Sequence, residues 1–201
     1  GKTTVGKGGL TVKTTLDLRI QAKLEETMND MFNSYVPNWA GFSNGAATVE
    51  DVKTGQIIAL MGSRDFNYPG YGQDNAATAY IQPGSSIKPF VYTQLFEKKA
   101  SGQVNYGSGS MLNDTNIDSI YGAKLFNADR KFKGPITIRS ALATSRNIPA
   151  VGAMYISGIQ PTLDTIHKLG VTSYCTQGDE TQVGLASAIG GCGLKQVSLV
   201  N

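Results

Sequence analysis

A serine and a lysine stand three residues apart in Gln82-Pro83-Gly84-Ser85-Ser86-Ile87-Lys88-Pro89-Phe90, where the proline and glycine just ahead of them mark the start of a helix. Residues at i and i+3 share one helix face, so the Lys88 amine is expected within reach of the Ser85 hydroxyl. A serine hydroxyl is a poor nucleophile at neutral pH until a base takes its proton or a positive field stabilises the alkoxide. A lysine can fill that role without a histidine. The unpaired N–H groups and positive dipole end of a helix start add to the field, and Pro89 is tolerated only this close to the N-terminus. Beyond Lys88, the residues Phe90, Val91, Leu95 and Phe96 predict a buried stripe, which would stand Ser85 on the first turn of a core helix.

A second segment, Ser145-Arg146-Asn147-Ile148-Pro149-Ala150, adds a Ser-x-Asn downstream of the Ser-x-x-Lys. That pair, in that order, is a known signature of penicillin-recognising serine enzymes. With Gly8-Gly9-Leu10-Thr11-Val12-Lys13-Thr14-Thr15-Leu16-Asp17 leading into a helix, the run from Asp51 to Met61 in a hairpin, and Gly134-Pro135-Ile136-Thr137-Ile138-Arg139 before the second motif, the chain resembles the transpeptidase domain of class A, bifunctional penicillin-binding proteins. The resemblance implies an α+β fold of the β-lactamase/transpeptidase kind, an antiparallel sheet flanked by helices. It divides the chain into a lead-in strand and first helix over residues 1–45 and a transpeptidase domain over 46–201.

The resemblance also implies chemistry. Ser85 is the nucleophile, Lys88 the base, Ser145 the relay of a proton toward the leaving amine, and Asn147 the group that orients the substrate amide and holds Lys88. The Ser85 N–H is a candidate oxyanion-hole donor. Expected partners are peptidoglycan stem peptides and β-lactam antibiotics, with no cofactor and no metal, on the extracytoplasmic face of a bacterial membrane. A membrane anchor and a glycosyltransferase domain are expected upstream of Gly1, and the strand carrying a third motif, Lys-Thr-Gly, after Asn201. A β-lactamase-like hydrolase, a β-lactam sensor that acylates once, and a purely structural fragment are the rival readings. Only the first of these needs a route for water to clear the acyl group.

Composition narrows less. A chain of 201 residues can bury a substantial core as one domain or one domain with an appendage. Its net charge of +3 is spread along the sequence, so no nucleic-acid footprint is indicated. No run is long and apolar enough to cross a membrane as a helix. Cys175 and Cys192 lack metal-ligand spacing and are left as either buried free thiols or a disulfide. His167, the single histidine, falls in a segment that reads as a helix opened by Pro161 and closed by Gly170. A packing or solvent-facing role suits it, and no Gly-x-Ser-x-Gly elbow supports a Ser-His-Asp site.

Along the chain, residues 10–15 alternate like a strand and Asp17 is placed to cap the next helix. Ile20, Leu24, Met28, Met31 and Phe32 recur at helical spacing. Residues 37–45 break that pattern, and residues 46–50 with 56–61 predict a hairpin around Asp51-Val52-Lys53-Thr54-Gly55. The Lys53-Thr54-Gly55 in it precedes both motifs and suits a turn needing a positive φ; it is not the third motif. Residues 64–83 predict an irregular loop, Ile136 to Ala143 a helix with Thr137 as cap, and Gly184 to Gly193 a small-residue segment before another helix. For Lys88 to act as a base, burial or nearby positive charge must bring it down from about 10.4. Without a third-motif lysine nearby, a smaller shift is expected.

Overall fold

The computed structural model describes residues 6–177 and 182–200. Its contacts divide the chain into two units, one running to Ala77 and the other from Thr78 to Leu199.

In the first unit, helix α1 (Leu18–Asn33) is capped as expected, the Asp17 carboxylate accepting the Arg19 N–H at 2.9 Å. Met28 and Phe32 supply its buried side. Its Gln21 amide clamps a neighbouring strand, accepting from Leu60 N at 2.9 Å and donating to Leu60 O at 3.2 Å. A short helix α2 (Val36–Ala40) occupies part of the stretch expected to be irregular. Pro37 presets its first turn, and Gly41, at φ 74°, ends it.

The hairpin forms as predicted from β1 (Ala47–Asp51) and β2 (Gln56–Met61), antiparallel with Ala47 opposite Met61 and a bulge at Val49/Glu50. Its turn is closed by the Asp51 carboxylate, which accepts the Lys53 and Thr54 amides at 3.0 and 2.9 Å. Gly55 adopts φ 68°. Lys53-Thr54-Gly55 is therefore a hairpin turn. Residues 10–15 form no strand. Alternation alone does not make one; a ladder partner and a face to bury are needed, and these side chains are exposed behind Gly8 and Gly9, both at φ 72°.

The second unit is built around one central apolar helix. A 3₁₀ turn (Gly84–Ile87) runs into α3 (Lys88–Phe96). Strand β3 (Met111–Asp114) pairs antiparallel with β4 (Gly134–Thr137), Asp114 opposite Gly134, with the short helix α4 (Asp118–Tyr121) between them. Then come α5 (Ile138–Ala143), α6 (Asn147–Ser157), α7 (Ile159–Lys168), a second 3₁₀ turn (Gly184–Ile189) and α8 (Gln196–Leu199).

Helix α6 is apolar nearly all round and buries Ile148, Pro149, Ala150, Val151, Ala153 and Met154, as a helix surrounded by others must. From α3 it meets Val91, Tyr92 and Leu95, which are fully buried. Tyr92 takes the inward place expected of Phe96, which is 40% exposed near the helix end. Ile136 belongs to β4, paired with Leu112, so α5 starts later than predicted, although Thr137 does cap it by accepting Ser140 N. Helix α7 begins two residues before Pro161, after Gly158 at φ 87°. The strands are antiparallel and the fold α+β, as expected, with the described strands arranged as two separate two-stranded ladders.

Candidate functional site

All four sequence-predicted site residues lie in the second unit. Ser85 sits in the 3₁₀ turn with its side chain exposed. Three residues on, Lys88 opens α3 with its side chain wholly shielded from solvent. The Lys88 ammonium spends its three donors on the link between α5 and α6: Ser145 O at 2.7 Å, Asn147 Oδ1 at 2.8 Å and Ser145 Oγ at 3.3 Å. Lys88, Ser145 and Asn147 are thus brought together directly. Ser85 precedes Lys88 by less than a helical turn, and among the described residues its hydroxyl makes no hydrogen bond to Lys88. The three N–H donors of the ammonium are already given to Ser145 and Asn147, which leaves none for the Ser85 hydroxyl. Burial pushes the Lys88 amine down to about 8 from its ordinary 10.5. That is a large shift, achieved by desolvation rather than by a neighbouring cation.

The link itself is held from below. Ser145 adopts φ 52°, left-handed for a residue with a Cβ, and such a conformation persists only where its surroundings over-determine it. Its amide and that of Arg146 bond back to Leu142 O and Ala141 O, both at 2.9 Å. The Arg146 side chain is 4% exposed. It pairs with the fully buried Asp114 at 2.7 Å and with Asp129 at 2.6 Å, and donates to Lys131 O. Hydrogen bonds from the Lys131 amide, then from Arg146, hold the Asp129 carboxyl below its usual range.

Asn127 completes the support. Its Nδ2 donates to Asp114 Oδ1 at 2.7 Å, while its Oδ1 accepts the Asn147 and Ile148 amides at 2.8 and 3.3 Å. A side chain distant in sequence therefore caps α6. Asn147 Nδ2 donates to Phe126 O at 2.8 Å, which aims its Oδ1 at Lys88. Sequence reasoning left Arg146 without a role and did not single out Asp114, Asn127 or Asp129. Nothing in their local patterns distinguishes them from surface polar residues. Cys175 and Cys192 form a disulfide. His167 Nε2 donates a hydrogen bond to Tyr174 O at 2.6 Å. Among the described residues no group of His, Cys, Asp or Glu side chains could hold a metal ion, and no helix is long and apolar enough to cross a membrane.

Residues 45–196 match the family model described as the penicillin binding protein transpeptidase domain, and the chain belongs to that family. It is 34% identical over 81% of its length to penicillin-binding protein 1A/1B of Bacillus subtilis, and 31% identical over 92% to penicillin-binding protein 1F of the same organism. It spans 17% and 24% of those relatives' own lengths. Among solved structures, PonA1 of Mycobacterium tuberculosis in complex with penicillin V superposes with a TM-score of 0.76 at 24% identity, covering 98% of this chain and 51% of that one. Penicillin-binding protein 1A of Haemophilus influenzae gives 0.60 at 26% identity, covering 78% and 22%.

Proposed function

We propose that the chain is the part of a peptidoglycan D,D-transpeptidase that carries the acylated serine, acting on stem peptides and trapped by β-lactams. Ser85 Oγ gives its proton to neutral Lys88 and attacks the penultimate D-alanine carbonyl. The Ser85 N–H faces the developing oxyanion, where one such donor is worth on the order of 3 kcal/mol. The proton then passes from Lys88 through Ser145 Oγ to the departing amine, and D-alanine leaves an ester on Ser85. An amine from a neighbouring stem attacks that ester, completing the cross-link and freeing the serine. In a β-lactam the ring amide opens instead, and its nitrogen takes the proton but stays tethered. Asn147 donates to the substrate amide and keeps Lys88 in place.

The observation that carries this reading is the buried Lys88 amine, docked on Ser145 and Asn147 and depressed to about 8. A lysine shielded this way is neutral often enough near neutrality to serve as a general base. Residues 46–201 would form the transpeptidase domain, with 1–45 leading into it. An extracytoplasmic location is part of the proposal and is supported by the Cys175–Cys192 disulfide, since such bonds persist in oxidising compartments.

Incubation of the full-length protein with a labelled penicillin, followed by intact mass measurement, tests the proposal. One adduct per chain is expected, mapping to the Ser85 peptide and absent from Ser85→Ala. An adduct that persists in that variant, or none in the wild type, would remove the reading.

A further inference from the structure

The turn that presents Ser85 is strapped along its upstream side to residues 190–194, distant in sequence. Ile81 and Leu194 exchange backbone hydrogen bonds at 2.9 and 3.0 Å. Gln82 Nε2 donates to Gly191 O at 3.0 Å across a separation of 109 residues. Between them the chain comes closer still: a Cβ built on Gly190 would lie 2.4 Å from both Gly84 N and Gly84 O. Gly190 also adopts φ 87°. Only a glycine lets backbone meet backbone here, and the contact falls on the residue immediately before Ser85.

The far side of the strap is anchored in turn. Cys192, fully buried, is bonded to Cys175 across 17 residues. Gly191 N bonds to Ala186 O at 3.0 Å, and Lys195 N to Ser173 Oγ at 3.1 Å. The Tyr174 hydroxyl, next to Cys175, donates to Ser187 O at 2.5 Å. By contrast, the hydrogen bonds of the Lys88 amine among the described residues all go to the 145–147 link. Ser85 and Lys88 share one backbone segment, but the Lys88 amine is held by the 145–147 link while the turn before Ser85 is held by the strap.

We infer that the Cys175–Cys192 disulfide, acting through Gly190, Gly191 and Leu194, is a positioning device for Ser85. The inference rests on the acylation chemistry proposed above. The disulfide limits where residues 190–194 can move, they fix residues 81–84, and these fix the angle at which the Ser85 hydroxyl meets substrate. A displacement of about 1 Å at a reacting atom can cost on the order of 100-fold in rate.

The experiment compares second-order acylation by a labelled penicillin in full-length wild type, Cys175→Ala/Cys192→Ala and Gln82→Leu, well below each variant's unfolding temperature and across pH. The double-alanine variant is expected to acylate on the order of 10- to 100-fold more slowly. Gln82→Leu, which keeps the disulfide and removes one exposed strap bond, should lose about threefold, within what a single hydrogen bond supports. In both, the pH at half-maximal rate should stay at the wild-type value, because the base is held elsewhere. Wild-type rates in the double-alanine variant, or a midpoint that moves with the rate, would overturn the inference while leaving the acylation reading intact. Should the double-alanine chain not fold, Gln82→Leu decides, an unchanged rate being the overturning result. A wild type that takes no label at all removes the acylation reading, and this inference with it.

Discussion

Lys88→Met is expected to slow penicillin acylation by about 10²- to 10⁴-fold, the range a positioned general base contributes, while leaving the protein folded. Methionine keeps the length and apolar stem of the side chain and removes only the amine. Stopped-flow or quenched labelling of Ser85 measures the effect. The same substitution has a signature in stability. The wild-type amine titrates near 8 in the folded protein and near 10.5 unfolded, so between those values the unfolded chain holds more protons and wild-type stability rises with pH. The contribution is fully present above 10.5 and is lost as pH falls through 8. In Lys88→Met that rise should be missing. Urea unfolding at pH 8 and at pH 10 would detect it as a difference between the two proteins that widens with pH in favour of the wild type.

Arg146→Met is expected to destabilise the fold by about 3–5 kcal/mol, the cost of breaking a buried ion pair from one side. Asp114, with no exposed surface, would keep only the Asn127 Nδ2 and Lys133 N–H as donors. Removing both partners, as in Asp114→Leu/Arg146→Met, should recover much of that loss, because two well-packed apolar side chains leave no stranded charge. Acylation separates support from stability. The double variant should remain slow, since the link that carries Ser145 at φ 52° has lost the guanidinium beneath it. Urea unfolding gives the first quantity and labelling of Ser85 the second. A double variant restored in stability and in rate together would show that Arg146 contributes only to folding.

These two residues also mark where sequence reading succeeds and where it stops. Lys88 could be singled out because Ser85 is three residues away, although the partners its amine takes are Ser145 and Asn147. Ser145 and Asn147 were recognised by their order after Lys88. Helix α1 was legible from Ile20, Leu24, Met28 and Phe32, and the hairpin from its turn. Arg146 was not legible, because its role depends on Asp114, 32 residues away on a strand. Asn127 is a polar residue in a polar segment until the fold brings its carbonyl onto the first amides of α6. Gly190 is one of a run of small residues until it meets Gly84. The failed strand over residues 10–15 has the converse cause: its alternation is genuine, but no partner strand meets it among the described residues. The shift of Lys88 to about 8 comes from burial alone, without a second cation, and burial is a property of the fold that no local pattern displays.

The dependence of Ser85 acylation on pH tests the central claim, that one buried amine removes the proton from one exposed hydroxyl. The second-order rate constant should rise with a single ionisation and reach half its maximum close to pH 8, with that limb lost in Lys88→Met. A midpoint near 10.4 would mean an unshifted lysine, and a limb that survives in Lys88→Met would mean another base; either result would contradict the account.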